Sequence, residues 1–335
     1  MIRTILFITI VSFLLSYISA TPIIKFLRSI GMTVPDAHKI NKPLVPRSAG
    51  WIALAGTFAA LSALIFVQTF IYHNSNIQII HIFAAITTLL IITIAGFIDD
   101  LTTIKDKADY KSTEKGGRLK QWQKPLLILP AIIPLMIISA GTSTMNIPFF
   151  GNINFGILYP LLIVPIGIFG AANMVNMLEG LNGLGTGMGI IYTGMLGLYS
   201  IVHQSYLGAV LSFAVFGSLL ALWKFHKTPA KIMAGDSLTY FLGASLACIA
   251  ILGNIERAAA ICSIPFFIEF ALKSRAKFKK DTIGYADKKN KIHSKWKGIH
   301  SLPHIWMRTG RFTEKQIVYQ LILVELFFSL LIWFV

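Results

Sequence analysis

Three short stretches place acids and amides where a long apolar chain has little reason to keep them. Gly96-Phe97-Ile98-Asp99-Asp100 sets two carboxylates side by side at the end of an apolar run. Adjacent carboxylates repel one another and persist where a cation or a proton relay uses them. Asn173, Asn176 and Glu179 recur at intervals of three, which stacks them on one helix face. Glycines follow in Gly180-Leu181-Asn182-Gly183, permitting a tight turn and close ligand approach. Such an amide–carboxylate stripe suits a hard, oxygen-seeking cation such as Mg2+. Ala234-Gly235-Asp236-Ser237 opens a further apolar run with one more acid. Each stretch also has a bland reading: helix-end acids facing water, interhelical amide hydrogen bonds, and an N-cap or dipole partner at Asp236. What separates the readings is that all three stretches are expected at the same membrane face.

Cationic groups accompany the acids. Residues 21–50 contain Asp36, His38, Lys39, Lys42 and Pro46-Arg47-Ser48-Ala49-Gly50, and Lys124 opens a later apolar run. Residues 273–315 carry Lys295, Lys297, His300, His304, Arg308 and Arg311. Cations beside an acidic metal site suggest a phosphate-rich substrate. The chain has no Walker loop or dinucleotide fingerprint and no serine nucleophile elbow. The residues alone therefore read as Mg2+-assisted phosphoryl chemistry at a membrane surface.

The elements that position these groups are membrane helices. Of 335 residues, 55% are apolar and 13% charged, against about 25% charged in soluble domains. Stretches long enough to cross a bilayer fall at 3–20, 51–72, 79–98, 125–141, 156–177, 185–204, 207–223, 234–252, 255–272 and 316–335. The pattern predicts an all-α integral membrane protein of about ten spans, folded as one polytopic domain over 1–335. The first run resembles a signal peptide, but Thr21-Pro22-Ile23 and the basic residues beyond it read as the exit of a retained helix. With ten spans, the loops on one side are 21–50, 99–124, 178–184, 224–233 and 273–315, the last long and basic. They hold 28 of the 30 Lys and Arg residues; only Arg3 and Arg257 lie opposite. Positive loops mark the cytoplasmic side, so both termini are expected on the extracytoplasmic side and the acids at the cytoplasmic face. The net charge of +16 is then a topology signal and not a nucleic-acid surface. Cys248 and Cys262 sit in apolar runs with no metal-ligand spacing.

Taken in order, G-F-I-D-D, N-x-x-N-x-x-x-G-x-N-G-L and G-D-S resemble the polyprenyl-phosphate N-acetylhexosamine-1-phosphate transferases of glycosyltransferase family 4. The resemblance runs from Gly31 to Arg311. The peptidoglycan branch has a second Asp where Asn182 stands and a triple-His run in its last loop. Asn182-Gly183 and separated histidines are instead similar to the archaeal and eukaryotic-type enzymes acting on UDP-GlcNAc and dolichyl phosphate. Gly31 to Lys39 resembles their first-loop pattern, with Asp36 as its acid, and Lys124-Pro125-Leu126-Leu127 resembles the lysine that opens their fourth helix.

The resemblance implies transfer of GlcNAc-1-phosphate from UDP-GlcNAc to a polyprenyl or dolichyl phosphate in the plasma membrane, with release of UMP. It implies that Asn176 and Asp236 hold Mg2+, with Mn2+ as a substitute, and that Asp99, Asp100 and Asp236 form the catalytic set. Lys124 would contact diphosphate or lipid phosphate, and Asn182 would sit near uracil. Asp36, Arg47, Asn173, His300 and Arg308 complete the implied substrate contacts, and a homodimer is compatible with it. Three departures stand out: Arg47 replaces a first-loop Glu, Ile299-His300-Ser301 replaces Arg-His-Arg, and Thr103 replaces an Asn. The alternatives are an undecaprenyl-phosphate sugar-1-phosphate transferase of the bacterial type, a transporter and a non-catalytic scaffold. A transporter places its site near the bilayer midplane, whereas these acids gather at one end.

Overall fold

The computed structural model describes residues 1–73, 78–108, 123–147 and 151–334. Its helices are α1 (Ile2–Ser29), α2 (Gly50–Phe66), α3 (Gln78–Ala108), α4 (Gln123–Ile137), α5 (Val164–Leu178), α6 (Leu184–Val202), α7 (Tyr206–His226), α8 (Gly235–Gly253), α9 (Glu256–Cys262), α10 (Ile264–Arg275), α11 (His304–Met307) and α12 (Glu314–Leu330). All ten anticipated spans fall on helix. Eight are long and apolar enough to cross a membrane. The fourth is shorter, with Leu126–Ile137 as its apolar part, and Pro130 and Pro134 lie within it. The ninth is broken: Ser263 ends α9 and precedes α10, whose second residue is Pro265. Proline at a first helical turn lacks the amide that would continue the preceding helix.

Two sequence expectations need correction. The first helix does not exit at Thr21-Pro22-Ile23; α1 runs through Pro22 to Ser29. Neighbouring helices in a membrane bundle can accommodate such a proline, and α1 packs along α2 and α7. The helix carrying the third span does not end at Asp99-Asp100 either; α3 continues to Ala108. The rest of the anticipated loop 99–124 lies mostly outside the described residues.

Helix α8 is the centre of the bundle, packed against α3, α5, α7 and α2, with every residue from Ser237 to Gly253 buried. Its first turn is approached closely from two sides. A Cβ on Gly50 would lie 2.4 Å from the Ser237 backbone, and one on Gly96 would lie 2.5 Å from the Asp236 carbonyl. Glycine at these positions lets α2 and α3 press against the start of α8, which carries the acid pair of α3 to Asp236.

Among the described residues, three short antiparallel strand pairs accompany the helices: β1 (Thr33–Pro35) with β2 (Leu44–Pro46), β3 (Thr144–Ile147) with β4 (Gly151–Asn154), and β5 (Tyr285–Ala286) with β6 (Ile292–His293). The helical expectation holds for the bundle, and these short ribbons lie in the loops between its helices. The β1–β2 ribbon holds Asp36 and His38 in its connection and delivers Arg47 to α8 through a bridge with Met233.

Candidate active site

Asp99, Asp100 and Asp236 meet at the α3–α8 contact together with Arg47 and Lys124. Arg47 Nε lies 2.6 Å from Asp100 and its Nη2 3.3 Å from Asp236. Lys124 Nζ lies 2.7 Å from Asp99 and 3.8 Å from Asp236. Burial works against the charge of Arg47, but Asp100, Asp236 and Asp99 outweigh it and raise the guanidinium pKa. Three carboxylates against two cations leave a net negative cluster, the condition under which a further cation is welcome.

The two members of the acid pair have different surroundings. Asp100 accepts from Asp236 N at 2.8 Å, Ser237 N at 3.3 Å and Ser48 Oγ at 2.6 Å, in addition to Arg47. It therefore caps the N-terminus of α8 from another helix. Gly235 is required at this turn: its φ is +68°, and a Cβ there would lie 2.3 Å from Asp100 Oδ2. Asp99 faces Lys124 and Tyr240, the latter at 3.4 Å. Asp236 itself makes no N-cap bond. Its Oδ1 accepts from Asn176 Nδ2 at 2.9 Å. Asn176 Nδ2 also donates to Thr239 Oγ1 at 2.9 Å, so both amide hydrogens are committed and Oδ1 remains as an acceptor. A carboxylate and an amide oxygen side by side are the donor set that a hard divalent cation takes.

Two cavities adjoin this cluster. The first, of about 260 Å³ and called the polar cavity for the charged and amide groups it carries, is lined by Asp36, His38, Arg47, Asn182 and Asp236 together with Val34, Leu181, Met233 and other apolar residues. The second is a groove of about 790 Å³. Its walls combine Phe169, Met174, Met177, Phe270 and Phe278 with Lys124, Asn173, Lys273 and Lys280. Asn176, Glu179 and Ile283 line both. Asn173 thus sits in the groove one turn from Asn176, with its Nδ2 donating to Phe169 O at 2.8 Å.

Glu179 closes the amide stripe. Its carboxylate accepts from Gly180 N at 3.2 Å and Gly185 N at 2.9 Å, the latter in the first turn of α6. Burial raises its pKa to about 7, partly offset by those two amides.

At the far wall of the polar cavity, Asn182 Nδ2 donates to Asp36 Oδ2 at 2.7 Å. Asp36, His38 and Glu314 lie close enough to hold a metal, but their atoms are committed elsewhere. His38 Nε2 accepts from Gly284 N at 3.2 Å, which leaves the proton on Nδ1 facing Glu314 at 3.3 Å. Asp36 Oδ1 accepts from His38 N at 3.1 Å. This cluster is a structural clasp among the first loop, the last loop and α12.

His300 and Arg308 are placed differently. Neither lines either cavity. His300 donates its backbone N–H to His304 Nδ1 at 3.3 Å, and Arg308 is exposed. The last loop is instead pinned by Glu269, whose carboxylate accepts from Leu302 N at 2.7 Å and lies 3.6 Å from Lys273. His304 is fully buried there; burial lowers its pKa to about 4, with Lys273 and His300 adding to the effect. Glu314, Ser48, Thr239, Tyr240 and Lys273 were not singled out from the sequence. Only Glu314 carried a signal, as an acid opening an apolar run directly after Thr313.

Residues 82–254 match the family model of glycosyl transferase family 4. Over 332 residues the chain is 34% identical to a Saccharolobus solfataricus protein provisionally named UDP-N-acetylglucosamine–dolichyl-phosphate N-acetylglucosaminephosphotransferase, covering 98% of this chain and 96% of that one. A protein of Sulfolobus acidocaldarius with the same provisional name is 33% identical over 98% of this chain and 94% of its own. The phospho-N-acetylmuramoyl-pentapeptide-transferase of Halalkalibacterium halodurans is 29% identical over 80% of each chain.

Proposed function

Because the chain belongs to glycosyl transferase family 4, we propose that it transfers GlcNAc-1-phosphate from UDP-GlcNAc to dolichyl phosphate or a related polyprenyl phosphate. The observation that carries this reading is that Asn176 lines both the polar cavity and the groove. A diphosphate entering from one side and a lipid phosphate from the other meet beside Asn176 and Asp236. The names of the two archaeal relatives supply the donor and acceptor class.

In the proposed reaction an oxygen of the lipid phosphate attacks the β-phosphorus of the donor. The bond from that phosphorus to the bridging oxygen breaks, and UMP departs with the oxygen. A phosphate monoester has a second pKa near ~6, so the nucleophile is largely ionised at neutral pH and needs no strong base. Asn176 Oδ1 and Asp236 would hold a Mg2+ ion, which supplies charge neutralisation on the diphosphate when bound. Arg47 faces the polar cavity and meets the donor's phosphates; Lys124 faces the groove and meets the acceptor's. Asp99 orients Lys124, and Asp100 fixes the start of α8 under Asp236.

The basic loops support a cytoplasmic site and extracytoplasmic termini in the cell membrane, where the product would serve as the first lipid-linked intermediate of N-glycan or surface-glycan assembly. The test is purified protein in lipid nanodiscs with UDP-GlcNAc and dolichyl phosphate. The expected result is UMP release that needs both the lipid and Mg2+, with the lipid diphosphate sugar seen by mass spectrometry. No UMP release from any member of a UDP-sugar panel would overturn the assignment.

A further inference from the structure

A further cavity, of about 210 Å³, opens between the end of α7 and the start of α12. Its walls repeat one arrangement on two helices. On α7, Trp223 stands one turn before Lys227; on α12, Tyr319 stands one turn after Lys315, and all four line the cavity. Trp223 and Tyr319 meet edge to face, with ring centroids 6.4 Å apart. Lys315 Nζ lies 5.8 Å from the Tyr319 ring centre. Both helices are long and apolar enough to cross a membrane. Each therefore sets its aromatic ring one turn deeper than its ammonium, and the two pairs share one space.

Aromatic residues and lysines anchor many proteins at a membrane surface, and anchoring explains any one of these four. It does not explain their convergence. Helix stability does not explain it either: Lys315 lies in the first turn of α12, where a cation opposes the helix dipole. Among the described residues neither lysine has a carboxylate partner. The neighbouring Glu314 instead faces His38 and Lys39 and accepts from Asn182 N at 2.9 Å and Thr228 Oγ1 at 3.2 Å. Thr228 also donates to Asn182 O at 3.4 Å. Thr228 and Asn182 line the cavity, so these bonds form a partition between it and the polar cavity. With the groove it shares no lining residue.

We propose that this cavity binds the phosphate headgroup of an anionic phospholipid, a bilayer lipid distinct from the acceptor. The two ammonium groups take the phosphodiester anion at the rim. Trp223, Tyr319 and Val318, which also lines the cavity, take the glycerol and the first acyl carbons. A zwitterionic headgroup brings its own cation toward two that are already there. A free phosphate uses the lysines and leaves the aromatic walls without a partner. The inference goes beyond the proposed reaction and does not depend on it.

The experiment titrates purified protein in detergent with phosphatidylglycerol, phosphatidylcholine or glycerol phosphate, and counts the bound species by native mass spectrometry. The expected result is one retained phosphatidylglycerol, preferred over phosphatidylcholine. In Lys227→Gln/Lys315→Gln that preference should fall about tenfold or more, from the loss of two lysine–phosphate attractions. Lys288→Gln/Lys289→Gln removes the same charge from two exposed positions of the last loop and should keep the wild-type preference. Should the first double variant unfold in detergent, Lys315→Gln alone is expected to lower the preference severalfold. Absence of the preference in wild type overturns the proposal, as does an unchanged preference in a folded Lys315→Gln or Lys227→Gln/Lys315→Gln protein. An equal fall in both double variants overturns it in favour of general surface charge. Displacement of the lipid by an equal concentration of glycerol phosphate overturns it in favour of a soluble phosphate.

Discussion

The carboxylate of Asp100 accepts the backbone N–H of Asp236 at 2.8 Å. One acid of the pair on α3 thus builds the helix start that displays the acid on α8. Asp100 and Asp236 thus do different work: Asp100 fixes the backbone, and Asp236 lines the polar cavity beside Asn176, which both cavities share.

Substitution should separate them. Asp236→Ala is expected to lower turnover on the order of 10²–10³-fold, as for loss of a preorganised electrostatic group, while binding of the apolar acceptor persists. Asp100→Ala is expected to lower stability as well, by about 3–5 kcal/mol, because it leaves Arg47 without its nearest buried partner. Thermal unfolding in detergent beside a UMP-release assay distinguishes the two. Equal loss of stability in both variants would contradict the division.

Arg47 should not tolerate lysine. Its Nε reaches Asp100 and its Nη2 reaches Asp236, a span that a single ammonium cannot cover. Arg47→Lys is expected to raise KM for the UDP-sugar and lower the unfolding temperature. Wild-type values for both would show that charge alone suffices.

Lys124 lines the groove but not the polar cavity. Lys124→Met is therefore expected to raise KM for the lipid phosphate by about 10–100-fold, the equivalent of one charge-assisted hydrogen bond, and to leave UMP affinity close to wild type. A matched loss of both affinities would place the lysine on the donor instead.

Two groups outside the spans give opposite pH signatures. The Glu179 pKa is raised to about 7 by burial, so the folded state holds its proton more tightly than the unfolded chain. By linkage, its contribution falls as pH rises from the ordinary Glu range to about 7. The His304 pKa is lowered to about 4, so the unfolded chain binds the extra proton, and its contribution is lost as pH falls from the ordinary His range to about 4. Wild type should therefore lose ground to Glu179→Gln with rising pH and gain ground on His304→Gln over much of the same interval. Unfolding temperatures across that range test this; slopes of the same sign would refute it.

The sequence made the bundle and its acidic end legible for a physical reason. Long apolar runs have one stable habitat, and acids beside them are costly enough to be informative. Asn173, Asn176 and Asp236 were readable because helical spacing and position after glycine constrain where they point. The course of α1 through Pro22 was not, since packing along α2 and α7 decides it. Glu314 was hidden because its partners Asn182, Thr228, Lys39 and His38 come from distant loops, and no spacing rule joins them. His300 and Arg308 were expected at the substrate from the resemblance and from charge, and neither lines the two cavities. The last loop is held by Glu269 through Leu302 and Lys273, with His304 buried beside them.

Ile283 lines the polar cavity and the groove alike, so one short segment of the last loop roofs the place where the two meet. On the proposed reading this gives the molecule two doorways under a single lintel, one open to water and one to lipid. Neither substrate has to leave before the other arrives. On that reading both reactants sit on the protein together, and the phosphoryl group passes directly from one to the other.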